Sequence, residues 1–462
     1  MNPRTFQWLT IAMAVLLVFE GIVRKFVGGG NLGHAIFFAK DALTLVMIAC
    51  LVIRAGELIG ASRYLAKRWI ILCALFIPVI VATAIRDPIL AVFGAKQYLL
   101  YPAIALTFLE GFGRLPFDEL RRWLLLFAWV LIPVTTAVAL TQLMLPPTHW
   151  LNLTTEGTSL EGFSAAGELR ISSTFPFVAQ YSMFLNFAVI PVVALIWWKR
   201  RSERVGTIVA TVAAVLFVIG TFATGSRSAV WGVGSILAAS AFVYILRARP
   251  RSLPFVITTA VVGLLALVVS REIAPEAFAA YDARAGGRED RTHVQEVTQR
   301  VWNSTVGWVG GPRWAPATVF GYGLGVMSNG SDQLSSYARE WRSDGRWTET
   351  DIANTLFEGG YYLVLLWMAF RLLIVITCLK YALQIRHPRL FGVGCVAQGF
   401  IIVTGLLGTL GIQPPLAIWF WMAVGLLLTI VRVDRQIHGR RAEKAMQGGM
   451  GAREATASAP SV

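Results

Sequence analysis

Runs of about twenty apolar residues recur along almost the whole chain, separated by polar stretches. A bilayer core of roughly 30 Å takes about 20 apolar residues in a helix, so each run predicts one membrane span. The fourth run is interrupted by Lys96 and Pro102, which predicts a kinked or partly re-entrant span. The sequence therefore predicts an all-α, polytopic membrane protein with twelve spans, at approximately 6–23, 34–53, 69–86, 89–110, 122–144, 177–198, 205–223, 226–246, 253–270, 354–379, 390–410 and 415–432.

Charged residues make up only 15% of the chain, against about 25% in a typical soluble domain. With 56% hydrophobic residues, a disordered chain is excluded. A soluble nucleic-acid-binding protein is disfavoured too, despite the net charge of +15. The four cysteines lie inside apolar runs, which predicts neither a disulfide framework nor a zinc site: Cys50, Cys73, Cys378 and Cys395.

Lysine and arginine are distributed unevenly between the two sets of connecting segments. If both termini are cytoplasmic, the cytoplasmic segments hold 24 basic residues, whereas the short external segments hold only Arg24, Lys25, Arg86, Arg170 and Arg227. Short cytoplasmic loops are enriched in Lys and Arg, so this asymmetry predicts cytoplasmic termini. The surplus of positive charge then faces anionic lipid rather than nucleic acid.

One connecting segment is much longer than the others. Residues 271–353 form a polar external stretch of 83 residues, and a loop of this length between packed spans is usually functional. We therefore predict a membrane part with nine spans (1–270), the external loop (271–353), a membrane part with three spans (354–432) and a disordered cytoplasmic tail (433–462). No internal repeat of the kind common in transporters is recognisable.

Acidic side chains gather where the long loop leads into the tenth span. Asp351, Asn354 and Glu358 are spaced to share one helical face, and Glu349 comes just before them. An acid at the start of a helix can simply cap it or complement its dipole. Glu358 lies within the span, where a carboxylate is costly and suggests a function. Glu349, Asp351 and Glu358 are therefore candidate catalytic residues.

Basic side chains at the external boundary of the membrane are candidates for binding an anion. Arg227 lies between the seventh and eighth spans, beside a helix N-terminus, where a fixed guanidinium favours phosphate. Similar logic applies to Arg170, just before the sixth span, and Lys96 is a further intramembrane cation. The structural alternative for Arg227 is a snorkelling anchor at the membrane surface.

The long loop contains five tryptophans and a glycine-rich turn around Tyr322. Trp302, Trp347 and Tyr322 suit binding of flat apolar faces such as those of sugar rings, although aromatic residues near a membrane also serve as interface anchors. Arg300 follows a glutamate by four residues, so an ion pair within a helix is its structural alternative. The glycines permit a sharp turn or close approach to a ligand, without the spacing of a dinucleotide fingerprint.

Together these elements resemble the bacterial O-antigen ligase and O-antigen polymerase superfamily. The resemblance covers roughly residues 90–410 and rests on the order and placement of short motifs. They are F-G-A-K-Q-Y-L-L-Y-P at 93–102, R-I-S-S-T-F at 170–175, T-G-S-R-S at 224–228, R-V-W at 300–302, P-x-x-x-F-G-Y-G-L-G at 316–325 and N-T-L-F-E-G-G at 354–360.

The resemblance implies a C-type-like glycosyltransferase of the bacterial inner membrane that needs no metal, cofactor or nucleotide sugar. Such enzymes take a glycan from an undecaprenyl diphosphate carrier on the periplasmic face. Arg227 and Arg300, with Arg170 and Lys96, would bind the diphosphate. A carboxylate would accept the proton of the acceptor hydroxyl, and the tryptophan-rich loop would hold sugar rings.

One departure from the superfamily favours a polymerase. Ligases typically carry a histidine where the long loop leads into the next span, and this chain has Glu349 at the corresponding position. The expected reaction joins lipid-linked repeat units into exopolysaccharide or O-antigen, with membrane lipid and a chain-length regulator or flippase as partners. A ligase that transfers the glycan to lipid A core, as in lipopolysaccharide synthesis, is one alternative. A secondary transporter or flippase is the other; intramembrane charges fit it, but the long loop and the absent repeat do not.

Overall fold

The structure, a computed structural model, is all-helical over the residues that it describes, with no strand among them. These residues are 2–28, 30–158, 169–198, 204–247, 253–285, 295, 298–299, 302, 319–328, 330–343 and 350–457. For 204–206, 254–255, 284–285, 342–343 and 440–457 the description covers the backbone only.

Sixteen α-helices follow one another along the described residues. The first eight are α1 (Pro3–Val27), α2 (Asn31–Ile53), α3 (Gly60–Ala84), α4 (Pro88–Leu99), α5 (Pro102–Phe112), α6 (Phe117–Met144), α7 (Val178–Trp197) and α8 (Arg204–Ala223). The others are α9 (Arg227–Leu246), α10 (Leu253–Ile273), α11 (Glu276–Ala285), α12 (Ser331–Leu334), α13 (Ser336–Ser343), α14 (Asp351–Gln384), α15 (Pro388–Leu407) and α16 (Pro414–Ala457).

Ten of the described helices are long and apolar enough to cross a membrane, and the pair α4–α5 makes an eleventh span if it is counted as one. The fold is thus that of a polytopic membrane protein. The remaining predicted span, the seventh (205–223), corresponds to α8, whose apolar part, Thr207–Ala223, is shorter than the other spans. The predicted interruption of the fourth span is confirmed: α4 and α5 meet at an angle of 41°. Pro102 opens α5, because a proline without an N–H is tolerated in the first turn of a helix but not inside it.

The core of the bundle is built around α16. Its apolar stretch is 94% buried and packs against α5, α7 and α15. In contrast, α2, α3, α9 and α10 are mostly exposed and apolar, as expected of helices that face lipid.

The connections between helices divide between the two ends of the bundle. We call one end the loop face; it carries the described connections within 28–30, 85–87, 145–176, 224–226 and 274–350. There, Lys25 Nζ donates to Ser172 Oγ (2.7 Å), and Ser335 Oγ donates to Asp87 Oδ2 (2.5 Å). The opposite face carries the connections at 54–59, 113–116 and 385–387.

Helix α14 is not the single straight span that the sequence predicts at 354–379. Gly359 and Gly360 have non-helical dihedral angles, with φ of −130° and 64°. Asp351 Oδ2 accepts a hydrogen bond from Arg371 Nη1 at 2.5 Å, although twenty residues of straight α-helix extend about 30 Å. The chain therefore reverses at the two glycines. Residues 351–358 form a short arm that packs back along the long arm, residues 361–384.

Helix α16 continues beyond the predicted twelfth span as far as Ala457, along the tail that the sequence predicts to be disordered from residue 433. The tail is rich in alanine, glutamate, lysine, arginine and glutamine, which are strong helix formers. Its glycines and its polarity had suggested a coil, because these residues bury little apolar surface.

Candidate functional site

Two of the arginines predicted to bind an anion, Arg170 and Arg227, come from distant segments and lie at the same turn on the loop face. The side chain of Arg170 lies next to Gly225, because a Cβ atom on this glycine would be 3.6 Å from Cγ of Arg170. Arg227 comes two residues after Gly225 in the chain. Both arginine side chains are half-buried. The structure thus places Arg170 against the turn between α8 and α9 that leads into Arg227.

This turn is held in place by α11 from the long loop. Phe222 stacks on Phe278 with ring centroids 4.2 Å apart. Gly225 has φ of 56°, and a Cβ there would lie 2.8 Å from Cβ of Ala280, so glycine permits both the turn and the close approach. Burial raises the pKa of Tyr281, Asp282 raises it further, and the charge of Arg227 opposes both. Arg227 therefore lies within electrostatic reach of Tyr281 in α11.

Buried hydrogen bonds fix the segment that presents Arg170. Ser173 N donates to Gln142 Oε1 at 2.6 Å, and Ile22 N donates to Thr174 O at 2.8 Å. Ser172 accepts from Lys25, as described above. These bonds tie the R-I-S-S-T-F motif to α1 and α6, so Arg170 projects from a rigid platform.

An apolar groove of about 710 Å³ runs between α6, α8 and α10 towards this platform. Its walls are almost entirely aliphatic and include Leu143, Val212 and Val269. At the loop face, the groove is bordered by Glu276 in the first turn of α11. Tyr281 follows Glu276 by five residues, which is a rise of about 7.5 Å along the helix. Along α11, the end of the groove therefore lies within about 10 Å of Tyr281, which the charge of Arg227 reaches.

The glycine-rich turn of the long loop is anchored in the membrane part by Glu358. Glu358 is fully buried; its Oε1 accepts from Met327 N (2.9 Å) and its Oε2 from Tyr98 OH (2.8 Å). The backbone carbonyl of Glu358 also accepts from Gly323 N at 2.9 Å. On the other side, Leu324 N donates to Thr83 Oγ1 at 2.9 Å. A catalytic role of Glu358 remains a prediction. Its hydrogen bonds to Met327 and Tyr98 are those of a side chain that anchors the glycine-rich turn.

Gly94 in α4 is the point of closest approach between the turn and the membrane part. A Cβ there would lie 2.4 Å from the backbone carbon of Leu324, which is far inside van der Waals contact. Gly94→Ala is expected to destabilise the protein by at least about 1–3 kcal/mol, because backbone has to move to make room. Gly234→Ala is the matched control, since its Cβ would meet nothing within 4 Å. Thermal denaturation in detergent measures both, and equal melting temperatures would contradict the docked turn.

Tyr322 belongs to an aromatic cluster on the loop face. Its ring lies 4.6 Å from the rings of both Trp341 and Phe357, and its carbonyl accepts from Tyr337 OH at 2.8 Å. Trp341 was not among the predicted sugar-binding residues, because nothing in the sequence distinguishes it from the other tryptophans of the loop. In the structure it is the described tryptophan that packs against Tyr322.

Asp351 is paired in a buried network that sequence reasoning missed. Its Oδ2 accepts from Arg371 and from Trp367 Nε1 (3.2 Å), and its Oδ1 accepts from Gly411 N (2.9 Å). Arg371 also donates to the carbonyl of Gly405 at 2.6 Å, near the end of α15. A catalytic role of Asp351 remains a prediction, while these contacts fix the buried end of the short arm. The signal in the sequence is Arg371 itself, because an arginine in the middle of a membrane span needs a partner.

Lys96 is engaged with α2. Its Nζ donates to Asp41 Oδ2 at 2.7 Å and lies 4.5 Å from the centroid of the Phe93 ring and 5.1 Å from that of Phe38. Tyr101 OH donates to the other oxygen of Asp41, also at 2.7 Å.

The other predicted site residues are not part of the contacts described above. Arg300, Glu349 and Trp347 lie outside the described residues. Trp302 is described and is 53% exposed. Among the described side chains, no group of three or more His, Cys, Asp or Glu residues is arranged to hold a metal ion.

The chain matches no known protein-family model and no curated protein.

Proposed function

We propose that the protein is a membrane glycosyltransferase that polymerises undecaprenyl-diphosphate-linked oligosaccharide repeat units at the loop face, which would be periplasmic. The observation that carries the proposal is that Arg170 and Arg227 lie at one turn, near the end of an apolar groove. A lipid diphosphate has the same two parts, an apolar chain and an anionic head.

The leaving group explains why two arginines suit this reaction. The acceptor hydroxyl oxygen bonds to the anomeric carbon, the bond from that carbon to the diphosphate breaks, and the diphosphate departs with the electron pair. Guanidinium groups donate in a planar fork that matches phosphate oxygens. Arg170 and Arg227 would stabilise the negative charge that develops on the departing oxygen.

The proton of the acceptor hydroxyl needs a base, and we assign that role to Glu349. The carboxylates of Asp351 and Glu358 are buried and already accept two or more hydrogen bonds each. They are better suited as positioning residues, because Asp351 fixes the chain two residues after Glu349. The half-buried rings of Tyr322 and Trp341 would offer aromatic faces to the sugar rings, with the buried Phe357 packed behind them.

Binding of the carrier alone tests the anion site. Wild-type protein in nanodiscs is expected to bind undecaprenyl diphosphate more tightly than undecaprenyl monophosphate. Arg170→Ala should weaken diphosphate binding about 10- to 100-fold, because a hydrogen bond to a charged group contributes roughly 1.5–3 kcal/mol. Arg63→Ala, on the opposite face, is the control. Equal affinities of wild type and Arg170→Ala would contradict the assignment of Arg170.

The polymerase and the ligase differ in what accumulates without the protein. A strain that lacks a polymerase should hold only single repeat units on the carrier. Long polymer on the carrier in a deletion strain would instead indicate a ligase.

A further inference from the structure

Lys25, in the last turn of α1, is a buried cation with neutral partners. The residue is 7% exposed, and its Nζ donates to the carbonyl of Leu151 at 2.9 Å and to Ser172 Oγ at 2.7 Å. Neither acceptor carries a charge. Among the described residues, no carboxylate therefore balances the charge of Lys25.

The other buried cations of the described part each have a carboxylate partner within 3.3 Å. The pairs are Lys40–Glu20, Arg54–Glu57 and Arg371–Asp351. Burying a charge is costly unless a partner compensates for it. The last turn of a helix favours a cation, but an exposed lysine satisfies the helix dipole as well as a buried one. Lys25 thus lacks the counter-ion that the fold supplies to comparable residues, and an anion from outside the chain would complete the pair.

Lys25 is also joined to the segment that carries Arg170. Ser172 follows Arg170 by two residues, so their Cα atoms are at most about 7 Å apart. The ammonium nitrogen of Lys25 therefore lies within about 12 Å of the Cα atom of Arg170. Ser173, in the same segment, has φ of 53° and is the one residue other than glycine with a positive φ in the described part. Such strained positions cluster at functional sites.

We propose that Lys25 is a further cation of the diphosphate site, with the bound diphosphate as its counter-ion. This inference rests on the proposed function and adds a residue that sets the preference of the site for a charged head group. Arg170 and Arg227 are half-buried and would donate hydrogen bonds to phosphate oxygens. Lys25 would act through its charge, because water screens a buried charge less than an exposed one.

The test compares how the full-length protein in nanodiscs binds undecaprenyl diphosphate and undecaprenol, which share the chain and differ in the charge of the head. Lys25→Met removes the charge and keeps a side chain without branches, and Lys25→Gln also keeps donors for the two neutral acceptors. Ser172→Ala removes one hydrogen bond and leaves the charge in place. Lys40→Met is the matched control, because Lys40 is a buried lysine that has its own carboxylate.

We expect the ratio of the two affinities to fall about 10-fold in Lys25→Met and in Lys25→Gln, because a unit charge at about 10 Å and an effective dielectric constant of about 20 changes an affinity by that order. The ratio should keep its wild-type value in Ser172→Ala and Lys40→Met. An unchanged ratio in Lys25→Gln would overturn the inference. So would an equal fall in Ser172→Ala, which would make Lys25 a support of the segment, or in Lys40→Met. Equal affinities of wild type for the two lipids would instead remove the diphosphate site of the proposed function.

Discussion

Arg227→Ala is expected to abolish chain elongation while leaving expression and membrane insertion intact. Removing one preorganised donor to developing negative charge typically lowers kcat about 10²–10³-fold. Arg227 is half-buried at the turn before α9 and lies within reach of α11, so its charge is fixed rather than free in solvent. Polymer length in cells and turnover of purified protein both measure the loss.

Arg247→Ala is the matched control for this experiment. Arg247 lies at the other end of α9, where it follows the last helical residue. A loss of elongation common to both variants would indicate a damaged helix rather than a lost anion site. Normal polymer length in Arg227→Ala would contradict the role of Arg227.

Arg371→Ala is expected to cause the largest loss of stability, about 3–5 kcal/mol. Removing one member of a buried ion pair leaves the other charge buried and uncompensated. Here Asp351 is 4% exposed and Arg371 2% exposed, and Arg371 also donates to carbonyls at the end of α15. The substitution thus releases both the short arm of α14 and the end of α15.

Arg271→Ala provides the comparison, because it removes an ion pair of similar length that is exposed. Arg271 Nη2 lies 2.8 Å from Asp282 Oδ2, with the two side chains 64% and 46% exposed. Exposed pairs contribute about 0–1 kcal/mol. Chemical denaturation in detergent should separate the two variants clearly, and equal losses would contradict the buried network around Asp351.

The helical class and most of the spans could be predicted because both depend on local properties of the chain. A run of apolar residues determines that a segment crosses the bilayer, and Pro102 in the fourth run determines where that span breaks. The reversal of α14 could not be predicted in the same way. Gly359 and Gly360 permit it, but the contact that defines it joins Asp351 to Arg371, twenty residues away.

The candidate site was predicted as a set of residue types and not as an arrangement. Arg170 and Arg227 were selected for their charge at the membrane boundary, and the structure adds that Arg170 lies against Gly225, in the turn that leads into Arg227. Glu358 was selected because a buried carboxylate is costly, and its two hydrogen bonds give it an anchoring geometry. Partners this far apart in sequence depend on tertiary packing, for which spacing along one helix gives no signal.

The central claim is that the protein forms glycosidic bonds between lipid-linked repeat units, and reconstitution tests it most directly. Purified protein in liposomes would receive undecaprenyl-diphosphate-linked oligosaccharide, and the products would be resolved by gel electrophoresis and mass spectrometry. The expected result is a ladder of lengthening glycans on the carrier, with one undecaprenyl diphosphate released for each new linkage. Transfer of unjoined repeat units to the other leaflet, with no ladder and no released carrier, would contradict it and identify a transporter.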